Sequence, residues 1–152
     1  MYKQLRAVMS VFSDLKQALF GHIVVPSKVE DRPLVITAQV VGFEKHPNAD
    51  RLRVVKLDTG TQIVEPVVCG ATNFVVGDIV ALALPGATIT HNIHSEAHES
   101  FILERVTIRG VESQGMICAG FELGLSKEPE TREQGVLVFP PGTKLGVDVH
   151  SV

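Results

Sequence analysis

The 152-residue chain has no tryptophan, one tyrosine and only two cysteines. Two thiols cannot build a disulfide framework, and Cys69 and Cys118 do not form a C-x-x-C pair. Each ends an apolar run, Val67-Val68-Cys69 and Met116-Ile117-Cys118, the setting of a buried free thiol. A cationic excess is missing too: 14 Lys+Arg stand against 17 Asp+Glu, a formal charge of −3 with histidines neutral. This excludes a protein that coats nucleic acid with a general positive surface, because such binding neutralises many phosphates. No run approaches the roughly 18 apolar residues of a membrane span. Lys3, Arg6, Asp14 and Lys16 interrupt the N-terminal apolar pattern, so no signal-peptide core is expected. A cytoplasmic protein with no membrane partner is the expectation. The chain also lacks a Walker loop, G-x-G-x-x-G, H-E-x-x-H and G-x-S-x-G. Neither a catalytic site nor a cofactor is expected.

What is present is apolar: 45% of the residues are hydrophobic, enough at this length to bury a core and fold as a domain. Leu5, Val8, Met9, Phe12, Leu15 and Leu19 recur at helical spacing, with Gly21 where a C-terminal cap would sit. They predict an amphipathic helix whose apolar stripe needs cover from the main domain or from a second copy. His22–Pro33, with Pro26 and Pro33 around a charged patch, reads as a linker. Residues 1–33 are therefore assigned to helix and linker, and 34–152 to one domain.

From Leu34 the pattern is that of strands. Runs over 34–41, 52–58, 62–69, 78–84, 101–108 and 135–139 are separated by Gly and Pro punctuation with little helix between them. Gly42 is read as the end of the first run and Gly110 as the close of the fifth. Five or six short strands predict an all-β fold, a small barrel rather than an immunoglobulin sandwich, whose core usually contains a tryptophan.

Two features carry candidate chemistry. The tract from His91 to Glu99 places His91, His94 and His98 near two carboxylates, a composition able to hold a divalent metal. If helical, the three imidazoles would share a face; as an extended loop, the tract is a solvated connection. The second feature is a series of ordered blocks. His46-Pro47-Asn48-Ala49-Asp50-Arg51-Leu52 lies between the first two strands, and its Pro, Asn and Asp are turn-forming residues. Cys69-Gly70-Ala71-Thr72-Asn73, Leu84-Pro85-Gly86-Ala87, the stretch Ile108-Arg109-Gly110-Val111-Glu112-Ser113-Gln114-Gly115-Met116-Ile117-Cys118, and Glu122-Leu123-Gly124-Leu125 follow in order.

In this order and spacing the blocks resemble the tRNA-binding domain family over about Val35 to Val149. The Arg-Gly-Val-Glu-Ser-x-Gly-Met form and the closing Pro-Pro-Gly-Thr-Lys-Leu-Gly-Val-Asp-Val are most similar to the phenylalanyl-tRNA synthetase beta chain branch. The resemblance implies an OB-type five-stranded Greek-key barrel with short extra strands, and a non-catalytic tRNA-binding module. It implies tRNA recognised by shape and backbone, with Lys45, Arg51, Arg53 and Arg109 meeting phosphates. Asn48, Ser113 and Gln114 would supply hydrogen bonds, and Met116 an apolar contact to a base or to the core. A synthetase partner subunit is the further partner of a docking alternative, and the amphipathic helix, which the resemblance does not cover, is the candidate element for a homodimer. Charge pulls the other way. Leu34–Leu125 holds six basic residues (Lys45, Arg51, Arg53, Lys56, Arg105, Arg109) against ten acidic ones, a balance of −4, beside +2 for residues 1–33. The expectation is RNA binding that is local and salt-sensitive, with a protein-interaction module of the same fold as the alternative.

Overall fold

The computed structural model describes residues 33–127 and 135–152. The expected N-terminal helix and the linker up to Arg32 lie outside the described residues. Pairing begins at β1 (Val35–Lys45), whose first half pairs antiparallel with β4 (Ile79–Ala83) and whose second half pairs with β2 (Arg53–Asp58). A strand that exchanges neighbours midway must curl, and β1 does so at a bulge. Val40 faces Leu57 and Gly42 faces Lys56, leaving Val41 as the extra residue. Gly42 therefore lies inside the strand and does not end it, because a glycine within a strand also marks bulges.

β2 pairs with β3 (Ile63–Cys69) across a second bulge, where Glu65 and Pro66 together oppose Lys56. Pro66 has no N–H to give, but its carbonyl accepts from the Gln114 N–H at 2.9 Å. That bond ties the free edge of β3 to the segment joining β8 (Val111–Ser113) and β9 (Met116–Ile117). β9 then pairs with β4 through Leu82–Ile117 and Ala83–Met116, and β10 (Val138–Phe139) takes the rest of the same β4 edge. The sheet thus comes round on itself as an OB-type barrel, all-β, with the fifth stave shared by two short strands.

The stretch 101–108, expected as one strand, is two. Phe101–Ile102, labelled β6, pairs with β5 (Thr88–Ile89), whereas Val106–Ile108, labelled β7, forms a hairpin with β8. Between them Leu103 turns inward while Glu104 and Arg105 are exposed. The continuous apolar pattern conceals a change of partner.

β4 is buried along its whole length, which is why it reads as an uninterrupted apolar run. Val80 and Leu82 pack inside the barrel with Ala38, Val40, Val55, Leu57 and Phe74. On the other face Ala81 and Ala83 are small enough to admit a covering layer of Ala87, Ile89, Leu103, Cys118, Leu123 and Val149. Each fully buried Val or Leu contributes about 1.5–3 kcal/mol. No helix among the described residues is long and apolar enough to cross a membrane.

Candidate nucleic-acid interface

The loop between β1 and β2 closes on itself, with the His46 N–H donating to Leu52 O at 3.0 Å. His46 is 2% exposed, and both its ring nitrogens are occupied. The Asn48 N–H donates to Nδ1 at 3.0 Å, and Nε2 lies 2.9 Å from the Ile108 carbonyl. A backbone N–H only donates and a carbonyl only accepts, so the ring is the neutral tautomer with its proton on Nε2. Asn48 Nδ2 donates to Arg109 O at 2.9 Å. Two hydrogen bonds thus staple this loop to the tip of the β7–β8 hairpin, and the Asn48 N–H bond to Nδ1 sets the ring that makes one of them.

The hairpin tip is the two-residue turn Arg109-Gly110, closed by the Ile108–Val111 pair. Both residues have positive φ, 48° and 90°, as a type I′ turn requires. Glycine meets this freely, whereas arginine pays roughly 1 kcal/mol or more. Arg109 is held there by the Asn48 bond to its carbonyl, with its side chain exposed.

Four cations gather at this end of the barrel. Lys45 stands opposite Arg53 in the β1–β2 register, Arg51 lies in the loop, and Arg109 is on the hairpin. Lys45 Nζ is 3.1 Å from Asp50 Oδ1, both side chains largely in solvent, so this pair exchanges readily for another anion. The Arg53 guanidinium lies over Phe43, 4.4 Å from the ring centroid, and 5.6 Å from that of Phe74. Among the described residues no carboxylate is within ion-pair distance of Arg51, Arg53 or Arg109.

The other sequence candidates are placed elsewhere. Ser113 is buried; its Oγ accepts from the Val68 N–H at 3.0 Å and donates to Gly115 O at 2.8 Å. The hydroxyl is spent inside the wall. Gln114 turns its amide to Glu112 and lines a shallow groove with Leu34, Ile63, Leu84, Pro85 and Arg105. Met116 is half-buried against the outer core. The intervening Gly115 is where a Cβ would come within 2.7 Å of Ala83 O, so the β9 crossing demands glycine.

His91 stacks on Phe121 at 4.5 Å, and His98 meets the same ring edge-on at 5.2 Å. The exposed His94 joins neither contact; its N–H donates to Asn92 Oδ1. The imidazoles clasp a phenyl ring, and among the described residues no three His, Cys, Asp or Glu side chains come together as a metal donor set. Burial pushes the thiols of Cys69 and Cys118 up in pKa, the latter strongly, with the Glu122 carboxylate adding to it. Sequence reasoning named the His46 block but passed over His46 itself, whose role depends on a carbonyl 62 residues away. It passed over Phe43 as well, for which the signal was an aromatic two residues before Lys45 on the same strand face.

Residues 35–148 match the profile of a family described as a tRNA binding domain. The chain is 43% identical over 136 residues to the phenylalanine–tRNA ligase beta subunit of Chlamydia pneumoniae, covering 86% of this chain and 16% of that protein. The Aliivibrio fischeri subunit is 40% identical over 118 residues, 78% of this chain and 13% of that protein. The Bdellovibrio bacteriovorus subunit is 35% identical over 122 residues, 80% of this chain and 14% of that protein. The chain spans at most 16% of the length of these relatives.

Proposed function

The chain belongs to the tRNA-binding domain family, and on that premise we propose that it binds tRNA through the edge formed by the β1–β2 loop and the β7–β8 hairpin. The matched domain is a non-catalytic module, so the role is recognition. The observation that carries the reading is the staple from Asn48 to Arg109, which fuses two loops remote in sequence into one cationic edge. Lys45, Arg51, Arg53 and Arg109 meet backbone phosphates, and Asn48 keeps a side-chain oxygen free to accept from a ribose hydroxyl. Gln114 adds an amide contact along its groove. Ser113 and Met116 serve the wall that carries the hairpin. The relatives' name supports a synthetase subunit as a second partner.

Fluorescence anisotropy of the full chain with bulk tRNA at low salt tests this. Binding is expected, weakened by Arg109→Ala; its absence at concentrations on the order of tens of micromolar overturns the reading. The acidic balance of the barrel favours one other reading, a protein-docking module. Sedimentation with and without tRNA separates the two: complexes or self-association that tRNA leaves unchanged favour docking.

A further inference from the structure

Phe43 breaks the rule of its strand. Before the bulge the core face of β1 carries Ala38 and Val40; after it the same face carries Phe43, opposite the buried Val55. A large ring on that face should be covered, yet Phe43 is 37% exposed, and it is the only exposed phenylalanine among the described residues. It lies at the open end of the curl, edge-on to Phe74 at 5.9 Å, which closes the core beneath it. The Arg53 guanidinium rests on the ring with no carboxylate partner among the described residues. Lys45 stands on the same face, two residues beyond Phe43 and directly opposite Arg53.

We propose that Phe43 and Arg53 form a stacking platform for one unpaired nucleobase of the bound RNA, with Lys45 taking the adjacent phosphate. The proposal rests on the tRNA-binding reading and adds the part of the ligand that phosphate contacts do not read. A guanidinium laid against a phenyl ring is held flat, and such planes accept any base, because every base has a π-face. The solvent-exposed pairing of Lys45 with Asp50 gives way to a phosphate at little cost. A-form duplex RNA keeps its bases stacked on one another, so the platform selects single-stranded or splayed nucleotides.

The chain has no tryptophan, so Phe43→Trp installs a single fluorophore at the platform. The full-length variant, with its fold checked by circular dichroism, is titrated with short oligoadenylate, bulk tRNA, a blunt RNA duplex and inorganic polyphosphate. Oligoadenylate and tRNA are expected to quench the indole emission, while duplex and polyphosphate bind through charge and leave it unchanged. In anisotropy, Phe43→Leu, which keeps apolar volume without the ring, is expected to weaken tRNA binding about tenfold. Phe43→Tyr restores it, and Arg53→Lys, with charge but no plane, does not behave as wild type. Binding of tRNA with unchanged indole emission, or wild-type affinity of Phe43→Leu, overturns the platform and leaves the phosphate reading standing. If the unmodified chain does not bind tRNA, the functional reading has failed, and quenching by oligoadenylate alone decides the platform.

Discussion

His46 shows how a single side chain converts turn chemistry into tertiary structure. As a neutral ring it accepts from the Asn48 N–H and donates to the Ile108 carbonyl, so loss of either contact loosens the edge. His46→Gln keeps an amide donor in the place of Nε2 and gives up the Nδ1 acceptor. His46→Ala gives up both contacts and the ring that fills the space between loop and hairpin. Urea denaturation is expected to show His46→Ala less stable by about 2–4 kcal/mol, from the lost hydrogen bonds together with the lost packing, and His46→Gln by less. In tRNA titrations both variants lose affinity, and adding either to Arg109→Ala loses little more, because His46 acts through the hairpin. The block was visible in the sequence as a turn; the partner was not, because nothing local in His-Pro-Asn points to Ile108. The cysteines are the opposite case, since their apolar runs already implied burial. The folded protein is expected to resist thiol reagents at pH 8 and both thiols to react once it is unfolded. Their folded pKa values lie above the ordinary 9.0. The unfolded chain therefore loses these protons first, and the stability they contribute is complete below about pH 9 and is lost as pH rises past it. Chemical denaturation across pH 8 to 10 checks the sign.

At the scale of elements, the β7–β8 hairpin separates stability from function. Arg109 occupies a left-handed conformation that suits asparagine better, so Arg109→Asn is expected to match or exceed the wild-type melting temperature while weakening tRNA binding. A variant that lost both together would mean that the arginine serves the fold. The crossing from β8 to β9 makes the reverse demand. Gly115→Ala puts a Cβ against the Ala83 carbonyl, and a shift of the β4–β9 pairing is expected to cost about 1–3 kcal/mol in a denaturant titration. The first four strands were legible because their apolar runs are long and bounded by turn residues. The two-residue strands were not, because pairs such as Thr88–Ile89 and Met116–Ile117 carry too few residues for any periodicity. They exist only because a neighbouring edge is free to receive them.

Over the whole molecule, the charge of −3 and the family membership are reconciled by position. The carboxylates are spread over the chain, whereas Lys45, Arg51, Arg53 and Arg109 share one end, three of them with no ion pair among the described residues. Binding through so few phosphates should fall with salt along a correspondingly small slope. Removing any one of Lys45, Arg51 or Arg109 is expected to lower the slope of log K against log salt by about 0.7–0.9, measured by anisotropy across a salt series. A slope unaffected by all three would place the RNA on another face. The sequence by itself determined the all-β class, the main strands, the buried thiols and the family, because alternation, turn residues and ordered blocks are local properties written along the chain. The tertiary structure alone decided which candidates meet. It brought Asn48 to Arg109, turned Ser113 inward and left Phe43 at the mouth of the barrel. Contacts across 60 or so residues depend on where a bulged strand curls, a geometry that no single segment encodes.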